Sequence, residues 1–429
     1  MEHFSKQCIL TIYANQRKST NLIYKKDINN PNLSLLNCGI LIMNFSLGIS
    51  MFYFDGIYNK GFIFIIFFLI FGYIINILSF ILYIKCCVYG LSFSYATLWT
   101  NSIGKYFSWL PDFFITFCYF PFTLNYYHEA TYLIQEILNY INNYIYIPSI
   151  FSNILIILYI YLAIPSLLIN YAKEINGLVV ISWIKLICLI LLITIHLYEC
   201  FQIKYKEKTF SISNNVQISM KGQSIVNIFG LIFSICFTGQ QPIVEHVIQV
   251  MKTPTFERTT TVYLNSTLIS FLISCFVSIL STLFFGRDTI KNSIIELYDP
   301  SSIAVLAKTI FLLYILMTML FWEWVEARHF SQIFTGTWEL SKWMDCKKIP
   351  NFLSCLIIIV LNISGSFFPS LPTKIFKTIG AIGTISVCLT FPSIFFLKYY
   401  KLRNARIIWG IVAVVLIIVG IASMILLIL

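Results

Sequence analysis

Long apolar runs constrain the fold of this chain more than any other feature of its sequence. A bilayer core needs roughly 20 apolar residues per helix, and the sequence contains eleven runs of about that length. The runs, here called spans 1 to 11, lie near residues 34–54, 61–85, 108–137, 148–169, 175–199, 224–250, 262–286, 303–326, 352–370, 375–397 and 406–428. Only 11% of the residues are charged, against about 25% in soluble domains. The sequence therefore predicts an all-α polytopic membrane protein with eleven transmembrane helices, embedded in a lipid bilayer.

The basic residues predict the orientation of these spans. With the N-terminus in the cytosol, the cytosolic segments hold 18 Lys and Arg residues and the outer segments hold 9, in agreement with the positive-inside rule. The net charge of +11 is spread over the loops, so we attribute it to topology and expect no nucleic-acid partner. The lysine-rich loop 200–222 goes against the rule, because it would face the outside or a lumen.

The spans also predict an internal repeat. Spans 1–5 and spans 6–10 have opposite orientations, because five crossings separate each span from its counterpart. Inverted repeats of this kind bind substrate near the middle of the bilayer, between one broken helix from each half. The predicted parts are a cytosolic tail 1–33, a first repeat 34–199, an outer or luminal loop 200–222, a second repeat 223–398, and a loop with helix 11 at 399–429.

Spans 1 and 6 are counterparts, and polar or glycine residues interrupt both of them. Span 1 contains Asn44-Phe45-Ser46-Leu47-Gly48-Ile49-Ser50, and span 6 contains Phe237-Thr238-Gly239-Gln240-Gln241-Pro242. A break leaves up to about four N–H and four C=O groups without helical partners. The N–H end suits a carboxylate and the C=O end suits a cation, so two facing breaks can bind an amino acid zwitterion. The alternatives are a proline kink in span 6 and close packing of small residues in span 1.

Four segments of the sequence resemble the amino acid/auxin permease family, which includes the neutral amino acid transporters. They are SYATLWTNSIGK (94–105), PSLLINYAKEINGLVVISW (165–183), the span 6 stretch with KTPTFERT after it, and GAIGTISVCLTFPSIFFLKYYK (380–401). Their order and spacing cover most of residues 36–401. The resemblance implies the eleven-helix inverted-repeat fold of the amino acid–polyamine–cation superfamily. It also implies transport of small neutral amino acids by alternating access, coupled to H+ or Na+.

The breaks and the resemblance together predict the site. The predicted substrate-binding residues are Ser46, Leu47, Gly48 and Ile49 in span 1, with Phe237, Thr238, Gly239, Gln240 and Gln241 in span 6. Thr318 matches a span 8 threonine that helps to bind the ion in sodium-coupled members. The asparagine that helps to bind sodium in those members falls at Ile42 in this chain, with Asn44 two residues away. We therefore predict Asn44, Lys185 and Thr318 as ion-coupling residues.

Lys185 lies about ten residues into span 5, which is roughly 15 Å of helix. A lysine can snorkel over only part of that distance, and a buried amine can lose its proton near neutral pH. In some superfamily members a span 5 lysine resembles a built-in substitute for sodium. One hypothesis is that Lys185 takes the sodium position and couples transport to protons or abolishes coupling. The alternative is a lysine that snorkels at the inner edge of span 5.

Other ionisable residues lie toward the predicted cytosolic ends of two spans. Glu323, Glu326 and Arg328 of span 8 are interpreted as an ion-pair cluster at the membrane surface, with a proton relay as the alternative. Glu245 and His246 of span 6 are interpreted as lining a cytosolic vestibule, with a pH-sensitive gate as the alternative.

The sequence contains no catalytic or metal-binding motif of the kinds HExxH, GxSxG or GxxxxGK[ST]. We therefore predict no enzyme activity and no metal or cofactor other than H+ or Na+ as the coupling ion. The competing function is an amino acid sensor on the same fold, which binds the amino acid without accumulating it. We expect a monomer in the plasma membrane or in a vacuolar or lysosomal membrane.

Overall fold

A computed structural model describes most of the apolar part of the chain. The described residues are 33–47, 62–90, 92–151, 153–164, 166, 175–207, 240–252, 254–285, 295, 298, 301–335, 356–364, 372–403 and 407–428. Helix occurs within every predicted span. The predicted tail, apart from Leu33, and residues 208–222 of the predicted loop lie outside the described residues. Residues 200–207, which include Lys204 and Lys206, continue the helix of span 5 and are not part of a loop.

The described helices lie in the predicted spans, and several of them extend beyond the predicted bounds. They are Leu35–Ser46 in span 1, Phe62–Gly90 in span 2, Leu110–Asn142 in span 3, Ile154–Ile156 with the π-helix Ile157–Ala163 in span 4, Ile175–Glu207 in span 5, Gln240–Val250 in span 6, Phe256–Phe285 in span 7, Ser302–Thr335 in span 8, 356–364 in span 9, Pro372–Ile385 with the π-helix Ser386–Thr390 and Phe391–Arg403 in span 10, and Ile407–Ile428 in span 11. A short helix, Tyr95–Ser102, follows span 2 and is here called the linking helix.

Six of the described helices are long and apolar enough to cross a membrane. Span 11 shows why lipid suits them, since its apolar side chains remain exposed along much of its length. The most exposed of these are Ile407, Ile408, Ile411, Ile418 and Ile425. An all-α integral membrane protein is therefore confirmed, and the number of eleven crossings stays a prediction.

The contacts between spans repeat in the two halves. Span 3 packs against span 10, and span 8 packs against span 5. In the predicted repeat, span 3 of the first half corresponds to span 8 of the second half, and span 5 corresponds to span 10. The contact between spans 3 and 10 is therefore the counterpart of the contact between spans 8 and 5. Span 2 also packs against span 10, and its counterpart, span 7, packs against span 5. Matching pairs of this kind are what an inverted repeat of five plus five helices requires.

Span 1 and span 6 are joined at the ends that we predict to be cytosolic. Leu33 N–H donates to Val250 O at 3.3 Å, and Lys252 N–H donates to Leu33 O at 3.1 Å. Leu33 and Met251 form an isolated parallel bridge. Ser34 then starts span 1 as its N-cap, because its Oγ accepts a hydrogen bond from Asn37 N–H at 3.3 Å.

Two glycines of span 10 allow a close approach of span 3. A Cβ at Gly380 would lie 2.6 Å from Pro121 Cγ. A Cβ at Gly383 would lie 2.9 Å from Phe114 O and 3.0 Å from Cys118 N, both of which are backbone atoms. Only a residue without a side chain fits at these two places, as is common where transmembrane helices pack closely.

We expect Gly383→Ala to destabilise the protein by about 1–3 kcal/mol, because the new methyl group overpacks a backbone contact that cannot rotate away. The measurement is the thermal unfolding midpoint of the purified protein in detergent. Gly410→Ala is the control, since its Cβ would meet the Tyr400 ring no closer than 3.4 Å. Equal midpoints for the two variants would contradict the close packing of spans 3 and 10.

Candidate substrate and ion-coupling site

The helix of span 1 ends at Ser46, well inside the predicted span. Leu47 leaves the helix with φ −82° and ψ 89°, and its N–H donates to Met43 O at 3.0 Å. A helix end leaves its last carbonyl groups without helical donors. The structure therefore describes the first part of the interruption predicted in span 1, up to Leu47. Gly48 and Ile49 lie outside the described residues.

Lys185 binds the carbonyl groups at this helix end. Its Nζ donates to Asn44 O at 2.5 Å and to Leu47 O at 2.7 Å. The side chain is fully buried, so Lys185 does not snorkel to the membrane surface. Its ammonium also lies 4.8 Å from the centre of the Tyr314 ring and 5.9 Å from that of Phe321. A positive charge is favoured both at the C-terminal end of a helix and over an aromatic ring.

Three further side chains hold the same end of span 1. Tyr314 OH donates to Leu47 O at 2.7 Å, and Ser270 Oγ donates to Met43 O at 3.2 Å. Asn44 Nδ2 donates to Ser182 O at 3.0 Å. Spans 5, 7 and 8 therefore meet at the end of span 1. The sequence analysis missed Tyr314 and Ser270, although Tyr314 lies one helical turn before Thr318.

Thr318 and Ser46 bond to their own helices. Thr318 Oγ1 donates to Tyr314 O at 2.8 Å, and Ser46 Oγ donates to Ile42 O at 2.8 Å. Residues spaced by three or four share a helix face, so Thr318 lies on the same face of span 8 as Tyr314 and Phe321. That is the face which contacts Lys185. The structure thus brings Asn44, Leu47 and Lys185 into contact and places Thr318 on the facing side of span 8.

The described helix of span 6 begins at Gln240, two residues before Pro242. Pro242 has no N–H group and cannot donate a helical hydrogen bond to residue 238. The interruption predicted in span 6 therefore contains a position that interrupts the helical hydrogen-bond pattern. Phe237, Thr238 and Gly239 lie outside the described residues.

Ser46 and Gln240 lie at similar distances from the bridge that joins spans 1 and 6. The helix of span 1 has 12 residues between this bridge and its end at Ser46, and the described helix of span 6 has 11 between the bridge and Gln240. At about 1.5 Å per residue, these lengths are roughly 18 Å and 16 Å. The helix end at Ser46 and the described part of the interruption predicted in span 6, Gln240 to Pro242, therefore lie at a similar depth.

The side chain of Gln241 is engaged by the protein itself. Its Oε1 accepts a hydrogen bond from Tyr95 OH at 3.0 Å, and its Nε2 donates to Cys388 O at 3.2 Å. Ser79 Oγ donates to the same Cys388 carbonyl group. This group is available because Pro392, four residues later in span 10, has no N–H to donate to it. In this conformation Gln241 links spans 2, 6 and 10 with the linking helix.

Glu245 and His246 do not line an open vestibule in this conformation, because both are buried. Glu245 Oε2 accepts a hydrogen bond from Tyr95 N–H at 3.4 Å. The His246 ring lies 5.4 Å from the ring of His329, and His329 Nδ1 lies 2.6 Å from Asp112 Oδ1. Spans 3, 6 and 8 and the linking helix are thus in close contact where the sequence predicted a cytosolic opening.

Comparisons with known proteins identify the fold. No family model and no curated protein matches the chain. A substrate-bound Na+-coupled sialic acid symporter in an outward-open state has a TM-score of 0.54 and 13% identity, over 98% of this chain and 97% of that chain. Mhp1, a nucleobase-cation-symport-1 family transporter with bromovinylhydantoin bound, has a TM-score of 0.58 and 13% identity, over 92% and 91%. The Eremococcus coleocola manganese transporter has a TM-score of 0.51 and 10% identity, over 91% and 86%.

At these identities the likeness concerns the fold alone. It extends over nearly the whole length of this chain and most of the length of each neighbour. The chain therefore has the fold of these membrane transporters, and the neighbours are transporters, not enzymes.

Proposed function

We propose that the chain is a secondary active transporter of small neutral amino acids, which works by alternating access and is coupled to protons. The observation that carries this proposal is the contact of Lys185 Nζ with the carbonyl groups of Asn44 and Leu47. These groups form the end of a helix that stops inside the membrane span. Transporter folds with inverted repeats use such helix ends to bind substrate and ion.

The helix end in span 1 and the interruption predicted in span 6 support an amino acid as the substrate. The carbonyl groups of Phe45 and Ser46 would accept hydrogen bonds from the substrate ammonium group. In span 6, the N–H groups left without helical partners by the predicted interruption at 237–242 would donate to its carboxylate. Residues 44–47 and 240–243 contain no acidic or basic side chain, which favours a substrate whose own side chain is neutral.

Lys185 supports protons as the coupling ion. Its ammonium occupies the place where a carbonyl-lined helix end would otherwise bind a cation. When Lys185 loses its proton, the charge-assisted part of these hydrogen bonds disappears, and spans 5 and 8 hold the end of span 1 less tightly. Proton binding and the position of span 1 are thereby linked. Sodium is the alternative coupling ion, since one neighbour with this fold is Na+-coupled.

The proposal is tested first by binding. We expect one or more neutral amino acids to raise the thermal unfolding midpoint of the purified protein, because a ligand at 100 times its Kd adds about 2.7 kcal/mol of stability. Sialic acid, a hydantoin and Mn2+ serve as comparison ligands. Stabilisation by one of these, with none by any amino acid, would contradict the proposed substrate class.

Uptake of the stabilising amino acid into proteoliposomes then tests transport and coupling. We expect an inward proton gradient to drive accumulation and a sodium gradient to have no effect. Binding without accumulation under either gradient would identify the chain as a sensor. Accumulation that needs sodium at constant pH would contradict the role given to Lys185.

A further inference from the structure

Two carboxyl groups on span 8 are buried away from the helix end of span 1 described above. Glu323 and Glu326 are 1% and 0% exposed, and we call them the acid pair. At about 100° per residue, they lie roughly 200° and 140° around span 8 from Phe321, which faces Lys185. The acid pair therefore occupies the other side of span 8, where it meets spans 3, 4 and 9.

The surroundings of the acid pair are rich in oxygen atoms. Thr123 Oγ1 of span 3 lies 3.1 Å from Glu326 Oε2 and 3.1 Å from Asn362 Oδ1 of span 9. Ser166 Oγ of span 4 donates to Glu323 Oε2. Each carboxyl group is thus held by a different hydroxyl group, and both lie in the same buried layer between four helices.

The hydrogen atoms available at Thr123 are too few for these contacts. A hydroxyl group carries one hydrogen, yet Thr123 Oγ1 has acceptors in Glu326, Asn362 and the Phe120 carbonyl group, the last at 2.9 Å. Two arrangements resolve the conflict. In the first, a proton on Glu326 lets Glu326 donate to Thr123 Oγ1, and Thr123 donates onward to one of the other acceptors. In the second, the Asn362 amide is turned so that its Nδ2 donates to Thr123 Oγ1, and Thr123 donates to an ionised Glu326. The infrared experiment below separates the two.

A second observation concerns the other carboxyl oxygen of Glu326. Glu326 Oε1 is buried and has no hydrogen-bond donor within bonding distance among the described residues. Unsatisfied polar atoms are rare in protein interiors and costly. Two ionised carboxylates side by side in the membrane interior are more costly still, so a positive species belongs here.

We propose that Glu323 and Glu326 bind one shared proton and form a second proton site of the transporter, separate from Lys185. This proposal rests on the proposed transport function, because it assigns the site to the coupling ion. The proton is held while span 8 packs against spans 3 and 9, and it is released when those spans separate and water reaches the acid pair.

The groups around the acid pair are consistent with a proton as the ligand. Titratable or charged groups nearby are Tyr127 of span 3, Arg328 and His329 further along span 8, and Lys185 beyond Phe321 on the other side of that span. Spans 4 and 9 contribute the neutral Ser166 and Asn362. Arg328 stacks on Trp324, with Cζ 3.2 Å from the ring centre. No group of three or more His, Cys, Asp or Glu side chains suited to a metal ion occurs among the residues that the structure describes.

Infrared spectroscopy of the full-length protein in nanodiscs, without substrate, tests the proposal. We expect a band from a protonated carboxyl group at neutral pH that weakens reversibly in alkaline buffer. It should be lost in Glu326→Gln, and Glu323→Gln should lose or shift it. Glutamine has the shape of the protonated acid and keeps the contact with Thr123. Glu136→Gln is the control and should keep the band, because Glu136 is partly exposed and pairs with Lys308 at 2.7 Å.

Each other result would overturn the proposal. A band that is absent at neutral pH would show that both carboxyl groups are ionised. A band that does not change in alkaline buffer would show a permanently protonated structural acid. Loss of the band on addition of Na+ or Mn2+ at constant pH would show a metal-ion site. The measurement needs no amino acid. The protonation of the acid pair can therefore be established or excluded even if the proposed transport function fails.

Discussion

Lys185→Met is expected to reduce proton-driven uptake at least about tenfold and to remove its dependence on pH. Methionine keeps much of the length and apolar character of the lysine side chain, so the contacts with Tyr314 and Phe321 remain. It removes the donor to Asn44 O and one of the two donors to Leu47 O. A buried acceptor that loses its partner costs about 1–3 kcal/mol, and about 1.4 kcal/mol corresponds to a factor of ten in an equilibrium. The measurement is initial uptake of the transported amino acid at a series of external pH values.

Two variants serve as controls for Lys185→Met. Tyr314→Phe removes the hydrogen bond to Leu47 O and leaves the ammonium in place, so uptake should fall while its pH dependence persists. Lys308→Met removes a lysine that is partly exposed and paired with Glu136, and it should leave both uptake and pH profile as in the wild type. Normal uptake with a wild-type pH profile in Lys185→Met would show that the proton is carried elsewhere.

The sequence predicted those features of the site that depend on a single helix. The depth of Lys185 follows from its position in span 5, and the end of span 1 follows from the polar residues that interrupt it. Both predictions rest on local spacing along the chain. The fully buried lysine and the helix that stops at Ser46 agree with them.

Features that depend on distant helices were not predictable in this way. The side chain of Gln241 turns toward Cys388 because Pro392 leaves that carbonyl group without a helical donor, across 147 residues of sequence. The acid pair was interpreted as an ion-pair cluster at the membrane surface, because one sequence shows the neighbours of Glu326 along span 8 and not across it. Its contact with Thr123 joins residues that are 203 positions apart.

Trp322→Ala is expected to have the largest effect on stability of any single substitution considered. Trp322 is 1% exposed and stacks on Phe45 with ring centres 6.0 Å apart and planes 6° apart. It also makes edge contacts with Tyr119, Phe122 and Tyr126 at 5.3, 4.9 and 5.5 Å. Its ring therefore joins span 1 to spans 3 and 8, immediately before the helix end at Ser46.

Removal of this ring leaves a cavity between helices whose association depends on van der Waals contact. We expect a loss of about 3–5 kcal/mol in the free energy of unfolding, measured in detergent, and weaker amino acid binding because Phe45 loses its support. Trp322→Phe should lose less, since it keeps an aromatic ring against Phe45. Trp183→Ala is the control, because Trp183 is 40% exposed on span 5 and its removal opens no interior cavity. If Trp322→Ala and Trp183→Ala lowered stability equally, the aromatic cluster would not be what anchors the end of span 1, and the hydrogen bonds that Lys185, Tyr314, Ser270 and Asn44 make there would have to hold it.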